Sequence, residues 1–342
     1  MRTCTWAPTV FQSNQVVSTR IADGDVPAGE DLHNFLKQRV EAIEAMGFSD
    51  LLIAQRWWGS GIDIEGSSLD CLAMTALFAG WTNSINLVTA IHPGFFQPTA
   101  IAKWGTTLDR LTAGRWSINV TSGWNMEEFE MYGIDPLDHD QRYARSKEFI
   151  QLLRLCWEQD HVNYRGTYYR ADKLKLEPRP THPLEVFQGG QSPAAIDMAV
   201  DLSDWMFLNG GSLSKISGLI DNVRRKLDGR EVKFALYAAP LCRTSDDQAW
   251  QEIDARLAAV DDTLLAKRRS RLHSGAEGMW EDDAEILSAL DSNEGYSARL
   301  IGSPDTILRR IEEFRAAGVD MLHLDASDAL FNQEVLPVLP GL

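Results

Sequence analysis

The sequence predicts an α/β fold, a (β/α)8 TIM barrel with insertions, and three observations carry that expectation. Strand-like apolar runs alternate with helix-like runs along the 342 residues until eight strands are in place, the pattern of a parallel sheet covered by helices. No G-x-G-x-x-G or P-loop follows the first strand, which weakens a doubly wound nucleotide-binding sheet. No linker, composition shift or internal repeat divides the chain, so residues 1–342 read as a single barrel domain.

The elements follow in order. Residues 3–10 read as the first strand. A polar loop then leads to "DLHNFLKQRVEAIEAMG", where Leu32, Phe35, Leu36, Val40, Ile43 and Met46 recur at helical spacing and Gly47 closes the helix. "FSDLLIAQ" is a short buried strand, followed by the Gly-rich loop "RWWGSGIDIEGSS" and a helix around 69–81. "INLVTAI" is the third strand, and its helix, near 98–112, stops at Gly114. "RWSINVT" is the fourth; it breaks into Thr121, Ser122, Gly123, Trp124 and Asn125 before a long helix at about 140–158. Residues 161–180 form an insertion, a Tyr-rich β-hairpin ending in prolines. Strand "LEVFQ", helix 193–202, strand "WMFLN", helix 214–227 and strand "VKFALYAAPL" come next. A helix near 245–260 enters a charged stretch, 261–300, a second insertion whose pattern specifies no fold. "SPDTILRRIEEFRAAG" restores order, with Ser303 as N-cap, Pro304 at the first helical position and Gly318 at the end. The strand "VDMLHLDA" completes the set.

Composition limits the partners. A formal charge of −16 argues against nucleic acid and anionic membranes, both of which need a basic face. Any anion must therefore be held by a local cluster against the overall field. Cys4, Cys71, Cys156 and Cys242 are scattered, with no C-x-x-C, as suits a reducing cytoplasm. No apolar run of about 18 residues could span a membrane, and the N-terminal "MRTCTWAPTV" lacks the apolar core of a signal peptide. These features predict a cytoplasmic protein.

A barrel builds its site from the loops after its strands. Here those loops carry Gln55-Arg56-Trp57-Trp58, Ala90 to Pro93, Asn119 to Glu128, and "FQGGQSPAA". Aromatic, amide, glycine and isolated charged side chains on one rim suit a flat heteroaromatic ligand with polar edges. Gly189 and Gly190 let a ligand approach the backbone, and Ser192 and Pro193 then start a helix whose N–H groups would face an anion, most simply a phosphate. Plain helix-start punctuation accounts for the same residues equally well. Arg142, beside Tyr143, stands on the first turn of the helix begun at Asp140, where a cation opposes the dipole. An Arg–Tyr pair suits a phosphate oxygen, and an ion pair with Asp138 or Glu148 is the alternative. "DHD" at 138–140 has no metal-ligand spacing, and His92, His161 and His323 form no cluster in the sequence. No metal site is expected. There is no G-x-S-x-G elbow, and Cys71, on an apolar helix face, reads as core.

Three segments, "AIHPGFFQPTAIAKWGTTLDRLTAGRWSINVTSGWNMEEFEMYG", "DHDQRYARSKEFI" and "VFQGGQSPAAIDMAVDLSDWMFLNG", together resemble the bacterial luciferase-like flavin-dependent monooxygenases. The resemblance covers nearly the whole chain, is densest over 89–212, and is nearest the dimethylsulfone, alkanesulfonate and pyrimidine-ring-opening branch. It implies reduced FMN supplied by a separate NAD(P)H-dependent flavin reductase, O2 as co-substrate, and one oxygen atom inserted into a small organic substrate. It also implies that Gln55 and Arg56 lie at the flavin edge and that Thr89, Asn119 and Glu128 contact the flavin. Arg142, Tyr143, Gly190 and Ser192 complete the FMN set, Tyr143 and Ser192 at the phosphate. Trp57 and Trp124 would wall the pocket, and Arg56 and His92 are the polar candidates for catalysis. Family members pair through barrel helices, so a homodimer or homotetramer is expected, with apolar residues to spare around 69–112. A deazaflavin-dependent hydride-transfer enzyme, a non-catalytic flavin binder and a phosphate-ligand barrel are the competing classes.

Departures from the family bear on the substrate. Where alkanesulfonate monooxygenases place an Arg and a His, this chain aligns Tyr237 and Ala239. Another Arg falls near Asn293, and their active-site cysteine has no counterpart beside Trp57 and Trp58. A buried sulfonate needs such cations. An uncharged, sulfone-like molecule held by aromatic walls and Tyr237 is therefore expected, unless Arg56 or Arg299 supplies the charge.

Overall fold

In the computed structural model, which describes residues 1–11, 26–57, 68–263, 265–266, 269–270, 286–291 and 293–342, the first strand is shorter than its sequence suggests. β1 (Arg2–Trp6) ends in a turn, and Val10 beyond it makes only an isolated antiparallel bridge to Ser68. α1 (Gly29–Ala45), β2 (Asp50–Ile53), α2 (Cys71–Trp81), β3 (Asn86–Ile91), α3 (Pro98–Thr112) and β4 (Trp116–Val120) follow in strict alternation. A six-residue helix, α4 (Met126–Met131), occupies the acidic stretch that the sequence presents as loop. "MEEFEM" is too short for a period of 3.6 to declare itself. α5 (His139–Glu158) is the long helix, and the insertion after it is the expected antiparallel hairpin, β5 (Val162–Arg165) with β6 (Arg170–Leu174). β7 (Val186–Gly189), α6 (Pro193–Leu202), β8 (Trp205–Leu208), α7 (Leu213–Lys226) and β9 (Lys233–Ala238) continue the alternation.

The second insertion is partly outside the described residues. What is described of it packs beside α8 (Asp246–Ala258) and a two-stranded parallel sheet, β10 (Leu241–Cys242) with β11 (Ile301–Gly302). Two 3-10 turns, Ile286–Leu290 and Gly295–Ala298, share a small apolar cluster with them that includes Leu241, Ile253, Leu290 and Tyr296. α9 (Pro304–Ala317), β12 (Met321–Leu324) and α10 (Ala329–Glu334) follow, and a 3-10 helix, Leu336–Gly341, comes after them.

β1, β2, β3, β4, β7, β8, β9 and β12 close a barrel of parallel strands, sealed by β12 against β1 with Cys4 opposite His323. Alternation along each strand sorts its side chains. Leu51, Leu87, Ile118, Val186, Leu236 and Leu322 face the helices in the main core, whereas Leu52, Val88, Phe187, Ala235 and Met321 fill the barrel interior. The lower end is plugged by Arg2, which pairs with Asp50 and with Glu185 (3.0 Å) and lies 4.8 Å over the Trp205 ring. One residue further up each inward column come Trp6, Ala54, Ala90, Phe207, Tyr237 and His323, and these floor the upper mouth.

Candidate active site

A cavity of about 380 Å³ opens at the C-terminal ends of the strands. Its walls come from several loops, as barrel sites do. At one end β7 runs into Gly189 and Gly190. Gly190 has φ +116°, and a Cβ there would stand 2.5 Å from the Tyr143 hydroxyl and 3.0 Å from Cβ of Ala195. Glycine is required at this turn. Ser192 caps α6, accepting a hydrogen bond from the Ala195 N–H (3.3 Å), with Pro193 at the first helical position. The Gly190 turn therefore lies between the Tyr143 hydroxyl and the first turn of α6, and a helix start beside such a turn suits an anion. Ser192 itself is buried and is not on the cavity wall.

Arg142 lines the cavity from α5, yet it is buried, and it donates to the Leu137 carbonyl at 2.9 Å. Its guanidinium thus ties down the loop before α5, whose start is fixed by a capping box between Asp138 and Gln141. Glu148, considered as its ion-pair partner, faces the hairpin. It accepts hydrogen bonds from the Thr167, Tyr168 and Tyr169 N–H groups at 2.7, 2.9 and 3.2 Å.

The strand-four loop supplies Thr121, Ser122, Gly123 and Trp124 to the wall. Gly123 has φ +90°, and a Cβ there would sit 2.6 Å from the Phe129 ring. Asn119 is 7 % exposed, and its Oδ1 is buried without a hydrogen-bond partner among the described residues. A ligand with a polar edge would satisfy it, which is the signature of a binding wall rather than of core.

Arg56 and His92 stand on the cavity after strands two and three. His92 Nδ1 accepts from the Trp57 indole N–H at 3.1 Å, which leaves the proton on Nε2. Burial, followed by the guanidiniums of Arg56 and Arg145, pushes its pKa down to about 4. His92 is therefore a neutral donor at physiological pH and not a proton-charged acid. Gln55 also lines the cavity, but its amide is spent on the scaffold. Oε1 accepts from the Cys71 N–H and Nε2 donates to the Arg56 carbonyl, both at 2.8 Å.

Three further expected site residues lie elsewhere. Thr89 points outward to the helix layer, its hydroxyl at 2.8 Å from that of Thr75 and 3.0 Å from the Trp116 indole nitrogen. Its side chain shares the parity of outward Leu87 and is not on the cavity wall. Trp57 stacks on Phe95 at 4.1 Å with a 2° tilt, behind the wall, and braces His92 instead of lining the cavity. Glu128 accepts from the Trp57 backbone N–H at 3.1 Å, so it pins the strand-two loop to α4. Trp58 lies outside the described residues.

Tyr237 is on the cavity, and burial, then the carboxylates of Asp291 and Asp325, drive its pKa well up, so its hydroxyl stays protonated. Asn293 reaches the cavity because its carbonyl accepts from the Gly210 N–H (2.8 Å) after β8. Arg299 is not on the cavity. Trp6, His139, Phe207 and His323 are lining residues that the motifs did not single out. Once the barrel is closed, their shared parity with inward Cys4, Trp205 and Met321 identifies Trp6, Phe207 and His323. Among the described residues, no three His, Cys, Asp or Glu side chains converge as metal ligands, and no helix is long and apolar enough to cross a membrane.

The luciferase-like monooxygenase family description matches residues 11–321. An FMNH2-dependent dimethylsulfone monooxygenase of Pseudomonas fluorescens (strain Pf0-1) is 34% identical over 351 aligned positions, covering 98% of this chain and 94% of that protein. A protein of the same description from Pseudomonas putida is 33% identical over 326 positions, covering 90% of this chain and 88% of its own. Among solved structures, a riboflavin lyase holding modified FMN and riboflavin superposes with a TM-score of 0.80. It covers 100% of this chain and 91% of its own at 16% identity, a likeness of fold.

Proposed function

The chain belongs to the luciferase-like monooxygenase family, and from that premise we propose that it is a reduced-FMN-dependent monooxygenase. It inserts one atom of O2 into a small, uncharged organic substrate of the sulfone type. The observation that carries the reading is one cavity with a glycine-built anion cradle at one end, the orphaned Asn119 amide oxygen between, and a ring-lined floor. Those features fit FMN. Gly190, the Tyr143 hydroxyl and the first turn of α6 would hold its phosphate, Asn119 would meet a polar edge of the ring system, and Trp124 would wall it. Arg56 and Arg142 offset the acidic field of the chain locally.

Reduced FMN, when bound, supplies the electrons that activate O2. The protein's own part is to position, to exclude water and to keep polar groups neutral where no charge is wanted. His92 offers an N–H from Nε2, held in that tautomer by Trp57. Tyr237 offers a protonated hydroxyl at the opposite side of the mouth. Supply of reduced flavin by a separate NAD(P)H-dependent reductase, in the cytoplasm, completes the proposal.

Oxygen uptake with a flavin reductase, NADH, FMN and a panel of dimethylsulfone, a cyclic ketone and an alkanesulfonate tests it. Sulfone-dependent uptake with an oxygenated product is expected. The highest kcat/KM on the sulfonate would overturn the uncharged substrate, and hydride transfer to a deazaflavin without O2 consumption would overturn the oxygenase.

A further inference from the structure

The floor of the cavity carries a polar group that the proposed cofactor contacts do not use. His323 stands on β12 between Cys4 of β1 and Tyr237 of β9 in the barrel register. It is 2 % exposed, and its Nε2 is buried without a hydrogen-bond partner among the described residues. Rings surround it, with Trp6 at 4.3 Å, Tyr237 at 5.2 Å and Phe207 at 5.4 Å between centroids. All four side chains line the cavity. An imidazole in such a box gains little over phenylalanine as filling, yet its unsatisfied nitrogen is a standing cost that a ligand would relieve. Burial pushes its pKa down to about 3, so it presents an N–H and a lone pair but no charge.

We propose that Trp6, Phe207, Tyr237 and His323 form a substrate subsite for a small molecule bearing a neutral, hydrogen-bond-accepting oxygen, sulfonyl or carbonyl, to which the His323 imidazole N–H donates. The reaction carried out there rests on the function proposed above; the binding chemistry does not. Methyl or methylene groups pack against the three rings, and the oxygen meets the one imidazole. A sulfonate anion would find no compensating cation among these four side chains. A plain hydrocarbon would leave the nitrogen unpaired, which is the stronger kind of discrimination, since a site built to bond an oxygen rejects the analogue lacking it.

The test uses FMN-loaded protein and dimethylsulfone, acetone and methanesulfonate as probes, followed by ligand-observed NMR titration. His323→Phe is expected to weaken binding of the two neutral probes at least tenfold while changing FMN affinity less than twofold. His323→Gln, which keeps an N–H donor, should recover part of the loss. In turnover, KM for the sulfone should rise with kcat nearly unchanged, a split that a general packing defect would not produce. Wild-type protein labelled with 15N at its 7 histidines should show one imidazole signal shifting with the sulfone, which needs no variant to fold. Unchanged sulfone binding in His323→Phe, no imidazole shift, or methanesulfonate bound as tightly as the sulfone each overturns the subsite. Histidine-dependent binding without oxygenation would remove the monooxygenase reading and leave the subsite standing. Oxygenation with an unaltered KM in both variants would do the reverse.

Discussion

Gly190 and His92 each hold a state that their sequence neighbours do not announce. The φ of +116° at Gly190 lies where L side chains are strained, and the added methyl of Gly190→Ala would meet the Tyr143 hydroxyl. Expelling it costs about 1–3 kcal/mol, so FMN binding is expected to weaken roughly tenfold or more. Fluorescence titration checks this, and FMN affinity left intact in both Gly190→Ala and Tyr143→Phe would remove the phosphate cradle. For His92 the ordinary value is 6.5 and the folded value about 4. Between these values the unfolded chain binds a proton that the folded chain refuses. The stability contributed by a neutral His92 is therefore complete above pH 6.5 and is lost as the pH falls toward 4. Burial of His323, with its pKa at about 3, acts in the same direction. Melting temperature should fall on acidification across that window, and less steeply in His92→Phe. The pH profile of kcat/KM should show no His92 limb above pH 5; a limb near 6.5 that disappears in His92→Phe would contradict a neutral role.

Elements carry the site through props that sequence periodicity does not express. The hairpin β5–β6 looks peripheral, but the Tyr169 hydroxyl donates to the Pro93 carbonyl at 2.6 Å, directly beside His92. Glu148 of α5 holds the hairpin's turn by its three N–H bonds. Glu148→Ala leaves those donors without their carboxylate, and a destabilisation of about 1–3 kcal/mol is expected in urea unfolding. Turnover should drop beyond that, because the turn that carries His92 loses its support; full activity with lowered stability would show that the hairpin is only a surface insertion. At α6, cap and start were legible because the signal is local. Serine, then proline, then an apolar stripe needs no distant partner, and the structure has Ser192 as N-cap and Pro193 after it. Ser192→Ala is expected to cost about 1 kcal/mol of stability as a lost cap. α4 was illegible for the opposite reason: its six residues are held by tertiary contacts such as buried Phe129 against Phe95 at 4.9 Å.

For the whole molecule we propose a homodimer or a dimer of dimers that pairs through the helices around α2 and α3. α2, "CLAMTALFAGW", is apolar on every side, which a helix covering one barrel face does not need. Leu111 on α3 is 74% exposed. Light scattering should give at least twice the 38.3 kDa chain mass, and Leu111→Glu should shift it downward; a monomer at micromolar concentration would contradict the pairing. At this scale the division of labour between sequence and tertiary structure is plain. The eight strands, their helices and the hairpin were determined by the sequence, because hydrophobic periodicity and caps are local properties of consecutive residues. Which side chains meet was decided only when β12 closed against β1, setting Cys4 beside His323 across almost the whole chain. Closure fixes the parity of each strand, and parity turns Thr89 out to Thr75 while turning Trp6, Phe207 and His323 in to one cavity. Trp57 and Glu128 sit one layer behind that cavity for the same reason: a loop's side chains go where the surrounding packing and hydrogen bonds leave room, and those partners lie far away in sequence.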